Sequence, residues 1–359
     1  MNGTTLVTVL TLLLSPQNAA QETRTDSGST AAPGLILPQI GQQKPQPPPP
    51  PPPPPPESVQ RRGSFVGYID DAVVASKLRL RFEAGLQNQV PDRAEFFYAK
   101  CGCYFDLPSD HELHDPDAPG PRPGQVTDLD FQQVFVQGEW AISSRVSLFA
   151  ELPLRWIQPR DFVPESLGGG DGFADQSGLG DIKVGLKAEL VSMPEQVVTL
   201  QVRGYLPTGE AEKGLGTNHA SIEPALVMYT RLSDRASIES QAGLWYPLDG
   251  SDGLPITDDD KFSGPVLFYG IGPSVEVYRS SRVRFGPVVE LIGWRVLGGF
   301  QSVVPGEDLD ASGVNIVNIK FGARLTWNDT DTIYGGWGRG LTDQKWYRDL
   351  IRVEYRRTF

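Results

Sequence analysis

The sequence predicts an all-β protein: a transmembrane antiparallel up-and-down β-barrel of about 12 strands, with a disordered N-terminal polyproline segment. Three observations carry this reading. Apolar and polar residues alternate with period two in run after run from Lys77 onward, and the connections between runs are long and short in turn. Nothing after the first 20 residues approaches the roughly 18 consecutive apolar residues of a spanning helix. A mean hydropathy of −0.27 does not count against a barrel, because lipid-facing and lumen-facing residues average out.

The N-terminus reads as a signal peptide over residues 1–20: Leu6 to Leu14 is apolar and too short to span, and Ala19 and Ala20 supply small residues for cleavage. Its first residues carry no Lys or Arg, and Asn18 stands where a small residue is preferred. Residues 21–76 read as a disordered periplasmic linker. Its ten consecutive prolines, Pro47 to Pro56, form a stiff rod of roughly 31 Å at about 3.1 Å per residue, a spacer or else a ligand for a Pro-binding partner. Within the linker, residues 57–76, where Asp70 and Asp71 precede Ala72-Val73-Val74-Ala75, leave open a short plug or a lead-in strand.

The barrel is expected over residues 77–359. In the first run Leu78, Leu80, Phe82, Ala84 and Leu86 share one face and Arg79, Arg81 and Glu83 the other. Ile182, Val184, Leu186, Ala188 and Leu190 likewise oppose Asp181, Lys183, Lys187 and Glu189. Such runs place strands near 77–87, 128–142, 146–157, 180–190, 197–206, 219–231, 236–247, 264–278, 282–296, 314–327, 331–340 and 345–359. Short turns such as Ser143-Ser144-Arg145 and Asn328-Asp329-Thr330 alternate with long loops, which puts both termini in the periplasm. Trp140, Trp327 and Phe359 map to the short-turn rim, and Trp156 and Tyr246 to the opposite rim, as aromatic girdles require. Tyr355 and the C-terminal Phe359 resemble the terminal signal by which outer-membrane barrels meet their assembly machinery; Arg357 departs from it where an aromatic is more usual.

Strand charges fall opposite the apolar stripe. Arg79, Arg81, Arg155, Lys183, Lys187, Arg203, Arg284, Lys320, Arg324, Arg352 and Arg356 are expected in the lumen with Glu83, Glu139, Glu151, Asp181, Glu189, Glu223, Glu239, Glu276, Glu290 and Glu354. The near balance of sign favours an interlocked ion-pair network over a strongly ion-selective pore. About twelve strands enclose a narrow, gated or plugged interior. A net charge of −12 without a basic run argues against nucleic acid.

Histidine is scarce. His219 and Ser221 share a face with Glu223, the start of a Ser-His nucleophile, but residues 224–235 hold no Asn as third partner, and the pair points into the lumen. His111-Glu112-Leu113-His114 with Asp115 and Asp117 is one residue short of the helical zinc motif and reads as a solvated loop; no metal or cofactor is expected. Asp249, Asp252, Asp258, Asp259 and Asp260 read as a solvated external run, with divalent-cation bridging to surface glycans as the alternative. Cys101-Gly102-Cys103 reads as a local loop staple.

Two stretches resemble a known family. Ser177-Gly178-Leu179-Gly180-Asp181-Ile182-Lys183-Val184-Gly185-Leu186-Lys187 is similar to the Gly-Leu-Gly-Asp strand entry of the phenol-degradation MetA-pathway outer-membrane family. Leu206-Pro207-Thr208-Gly209-Glu210, followed by Gly214-Leu215-Gly216-Thr217-Asn218-His219-Ala220-Ser221-Ile222-Glu223-Pro224, is similar to that family's Pro-Thr-Gly loop and next strand. The resemblance implies a barrel and suggests uptake of aromatic or other hydrophobic compounds. From the residues themselves, Gly178 and Gly180 relieve crowding at a strand entry and Pro207 ends a strand.

The expected function is passive outer-membrane transport of a small, hydrophobic or aromatic solute. A structural or surface-interaction barrel with a plugged lumen is the alternative, and an outer-membrane lipase or esterase a minor one. An open lumen favours the first; filling by the charges above or by residues 57–76 favours the second. The expected partners are the lipid bilayer, the assembly machinery through the C-terminal strand, and the solute.

Overall fold

The computed structural model describes residues 63–90, 100–163, 172–252, 261–302 and 310–359. The signal, the polyproline tract, Gly168 to Gly170 and Asp258 to Asp260 lie outside the described residues. Period-two sequence becomes strand throughout: β1 Lys77–Asn88, β2 Val126–Ala141, β3 Val146–Phe162, β4 Gln176–Leu179, β5 Ile182–Ser192, β6 Gln196–Leu206, β7 Ser221–Arg231, β8 Ala236–Pro247, β9 Val266–Val275, β10 Tyr278–Arg279, β11 Val283–Val296, β12 Asn315–Trp327, β13 Asp331–Gly340 and β14 Asp349–Thr358.

These segments fill twelve positions of one closed antiparallel ring. β4 and β5 both pair with β3 and are two parts of one ring strand, interrupted at Gly180 and Asp181. β9 and β10 share the next position beside β11 in the same way. Closure is between first and last strands, from Lys77 opposite Thr358 to Leu86 opposite Asp349. Closure leaves no unpaired backbone edge, which a sheet surrounded by hydrocarbon cannot tolerate.

The outward face is apolar. Leu78, Leu80, Phe82, Leu152, Leu154, Leu226, Ile271, Leu291, Phe321, Ile351 and Val353 are all exposed, on strands spread around the ring from β1 to β14. A continuous belt of this kind is matched to lipid and would drive a soluble protein to aggregate. Trp140 and Phe359, 73% and 77% exposed, stand on the short-turn rim, and Trp156 and Tyr246 are exposed toward the other end.

Residues 63–76 differ from the expectation of a disordered linker running to 76. The described part of the segment is folded inside the barrel, as the plug alternative has it. It rises from the level of Glu239 near the short-turn end, bends at mid-height around Gly67 to Asp70, and returns to start β1 at Lys77. It forms no strand, and its apolar residues, Phe65, Val66, Ile69 and Ala72 to Ala75, follow no period that marks an element, so local sequence does not announce its order. Its Val66 and Ile69 pack against Val288, Ile292 and Tyr334 of the wall. Glycines make the space: a Cβ at Gly272 would lie 2.7 Å from Val66, and one at Gly67 would lie 2.2 Å from the Tyr334 ring.

Gly67→Ala is therefore expected to unseat the bend of the plug while the ring stays closed. Chymotryptic cleavage at Phe65 and Tyr68 should rise, with heat-modifiable gel mobility of the barrel unchanged.

Candidate functional site: a plugged lumen with an aromatic chamber

Period-two geometry turns alternate strand residues inward, and the interior they build is a charge lattice. Arg79 lies 3.6 Å from Glu354 and 3.9 Å from Asp70; Arg81 lies 3.0 Å from Glu83 and 3.2 Å from Glu151. Lys183 meets Glu151 at 3.0 Å, Lys187 meets Glu139 at 3.1 Å, and Arg203 joins Glu223 and Asp70 at 2.6 Å each. Arg352 pairs with Glu83 at 2.5 Å and Arg324 with Glu354 at 2.9 Å. Near the short-turn rim Arg356 bridges Asp71 and Glu354, both at 3.0 Å, and Arg284 lies 3.9 Å from Glu276. Burying so many charges is tolerable only because each is paired or hydrogen-bonded.

Three inward charges, Glu290, Glu239 and Lys320, turn to the plug, with no ion pair within 4 Å among the described residues. Glu290 accepts the backbone N–H groups of Gly67, Tyr68 and Ile69, each at 2.9 Å. Glu239 accepts those of Phe65 and Val66, at 2.9 and 3.4 Å. Lys320 sits 3.7 Å from the Tyr68 ring centroid and donates to the Tyr347 hydroxyl at 2.7 Å. Arginines hold the opposite polarity of the same backbone: Arg324 donates to the carbonyls of Phe65 and Val66, and Arg352 to that of Gly67. The returning limb is held by Lys187 on the Asp71 carbonyl, Thr199 on that of Ala72, and Glu189 accepting from Val74. The wall thus carries a ready-made cradle for one backbone path.

Above the plug lies a chamber of about 200 Å³. Tyr68 and Asp70 form its floor, Lys183, Glu151 and Arg203 its charged side, and Trp245, Phe268, Trp294 and Trp346 its aromatic side. Trp346 and Tyr347 come from the connection before β14, which begins at Asp349 rather than at 345, so both turn inward; Trp346 packs on Trp294 with ring centroids 4.7 Å apart. These rings escape a reading that assigns only charges to the lumen. Phe131 and Phe135, inward by the same alternation as Gln133 and Gln137, could have been found from period alone.

The long-loop end is crossed by residues 100–125. Cys101 and Cys103 are disulfide-bonded. The Cys101 N–H donates to Ser302 Oγ at 3.0 Å, and Lys100 donates to the Asp252 carbonyl at 2.9 Å. These contacts join loops from opposite sides of the ring. Asp115 pairs with Lys100 at 2.6 Å and is buried, so this part of the His-rich stretch is a folded brace rather than a solvated loop. Burial holds the Lys100 ammonium below the usual lysine range against the pull of that carboxylate.

His219 precedes β7 instead of belonging to it, and stacks edge-on against Trp245 with centroids 6.0 Å apart. Its Nδ1 lies 2.9 Å from the Thr217 carbonyl, and burial lowers its pKa against that contact. Ser221 Oγ and His219 Nε2 are buried without hydrogen-bond partners among the described residues, while Glu223 is taken by Arg203 and Tyr205. The nucleophile–base bond that acyl transfer needs is not formed.

The two stretches that resemble the MetA-pathway family meet as one clasp. Asp181 accepts from Gly209 N–H at 2.9 Å and from Thr217 N–H at 2.8 Å, and Thr208 Oγ1 donates to the Gly180 carbonyl at 3.0 Å. A Cβ at Gly216 would lie 2.6 Å from Asp181 Oδ1. Their glycines serve close packing of loop on strand entry.

No protein-family model matches the chain, so that resemblance gains no support from this side, and the curated proteins hold no match by sequence. Solved structures are similar in architecture. An outer membrane channel from Pseudomonas putida F1 shares 12% identity at a TM-score of 0.48, over 80% of this chain and 96% of the other. The β domain of the Bordetella autotransporter BrkA shares 13% at 0.45, over 79% and 100%. The Pseudomonas putida toluene transporter TodX shares 10% at 0.40, over 79% and 90%. Likeness of this degree does not extend to what this chain carries.

Because Glu290 anchors three successive amides, Glu290→Ala should lower hydrogen-exchange protection at Gly67, Tyr68 and Ile69 by tenfold or more, on the order of 1.5–3 kcal/mol per charge-assisted bond lost. Glu290→Gln, which keeps an acceptor, should lose less.

Proposed function

We propose that this chain is an outer-membrane barrel that passes a small solute, hydrophobic or aromatic in character, by passive diffusion, with residues 63–76 as its gate. The observation that carries the reading is the chamber between plug and aromatic side: an interior serving rigidity alone needs no space of its own, and this one keeps space bordered by both rings and charges. The gate is separable from the wall. From Phe65 to Val74 the segment is held by wall side chains, and its backbone bond to the ring comes only at Ser76, whose carbonyl accepts from the Phe359 N–H, so its release up to that point leaves the strand pairing intact.

In this reading the short turns and both termini face the periplasm, and the braced loops face outward. Phe359 and Tyr355 then present the C-terminal strand to the assembly machinery. The second reading, a structural barrel with a blocked lumen, is favoured by the short-turn half, where Arg324, Glu354 and Arg356 are buried, paired with one another and bonded to the plug.

A paired substitution separates the two. Val66→Cys with Gly272→Cys places two sulfurs where the native side chain and a Cβ would be 2.7 Å apart, within reach of a disulfide. In planar bilayers and in solute uptake, the gated passage is silent when oxidised and opens on reduction, with each single-Cys variant controlling for the Cys101–Cys103 bond. Silence in both redox states, from protein folded by heat-modifiable mobility, leaves the structural barrel.

A further inference from the structure

The clearest unexplained group inside the barrel is Lys320. It is buried, no carboxylate lies within 4 Å of it among the described residues, and its surroundings are rings: Tyr68 at 3.7 Å, Tyr347 at 5.3 Å and Trp294 at 5.8 Å from its ammonium. The Arg352 guanidinium is 3.9 Å from the same Tyr68 ring, and Tyr334 meets that ring edge-on with centroids 6.1 Å apart. Buried Lys320, with no carboxylate within 4 Å among the described residues, and half-buried Arg352, which Glu83 also pairs, lie against one ring, and an electron-rich face suits both cations. The Tyr68 hydroxyl is buried with no hydrogen-bond partner among the described residues, so the slot recognises the face of the ring and leaves its substituent unused. The backbone beside the ring is held by its own contacts, the Tyr68 N–H to Glu290 and the Gly67 carbonyl to Arg352, neither of which uses the Tyr68 side chain. Tyr68 and Arg352 also line the chamber, so the slot opens directly onto it.

We infer that the Lys320–Arg352–Tyr334 slot is a binding site for an electron-rich aromatic ring, that Tyr68 is its built-in occupant, and that an aromatic solute competes with Tyr68 for it on the way through. The inference rests on the gated-passage reading and adds to it the residue that the solute must displace. A saturated ring of equal size fills the volume but offers no face to the two cations.

The test measures binding alone, so that its failure is distinct from failure of the gate. Full-length protein held in amphipol is dialysed to equilibrium against p-cresol, the side-chain analogue of tyrosine, and against 4-methylcyclohexanol, its saturated counterpart. Tyr68→Ala should bind p-cresol about tenfold more tightly than the parent, because the internal competitor is gone. Tyr68→Phe should stay at the parent value, and Lys320→Met in the Tyr68→Ala background should abolish the gain. 4-Methylcyclohexanol should gain nothing from any of these changes. Folding is checked by heat-modifiable mobility, and Tyr68→Leu, which keeps the volume without the π face, replaces Tyr68→Ala if the smaller residue prevents folding. Equal p-cresol affinity in parent and variant, or an equal gain for the saturated ring, overturns the inference.

Discussion

A closed strand ring in lipid must send its charges inward, and an inward charge must find a partner, because an unpaired buried ion costs several kcal/mol. Many of this barrel's charges find each other across the wall, as Arg81 on β1 does with Glu151 on β3 and Arg203 on β6 with Glu223 on β7. Glu239, Glu290 and Lys320 do not; they find the backbone and one ring of residues 63–76. The wall is thus electrostatically complete only with the plug in place. The same arrangement gives the plug a defined seat, since amides go to carboxylates and carbonyls to guanidinium groups along a single path.

The ring itself was largely legible in the sequence. Period-two alternation depends only on neighbours along the chain, so it located β1 from Lys77, β8 over 236–247 and β13 over 331–340, each within a residue of its observed bounds. The inward placement of the charges followed from the same parity. What escaped was whatever depends on partners far away in sequence. Val74 hydrogen-bonds to Glu189, 115 residues on, and Asp71 pairs with Arg356, 285 residues on; no local pattern in 63–76 announces either. Trp346 and Tyr347 escaped for another reason: they sit where alternation lapses before β14, and a lapse looks the same whether a loop leaves the barrel or turns into it.

The outer end follows a different logic from the wall. Its loops add small, specific devices to apolar clusters such as that around Tyr104: the Cys101–Cys103 bond, the Lys100–Asp115 pair, and the Asp181 clasp that gathers Gly209 and Thr217. The glycine-rich stretches that stand out in the sequence belong to this bracing. The chemistry of the lumen lies instead in residues with no motif at all, Lys320, Glu290 and Tyr68 among them, whose meaning comes only from what the closed ring sets opposite them.

The plug precedes the first strand in the chain, yet several of its anchors, Arg352 and Arg356, lie on the last. During synthesis the earliest part of the folded unit therefore waits for the latest. Until β14 is laid against β1, the returning limb lacks its partner for Asp71 and the bend lacks its clamp at Gly67, so the seam and the seat are completed by the same strand. A barrel caught before that moment is unzipped and holds the segment only by its earlier anchors, Glu239, Glu290 and Arg324, and the step that seals its edge also completes the seat.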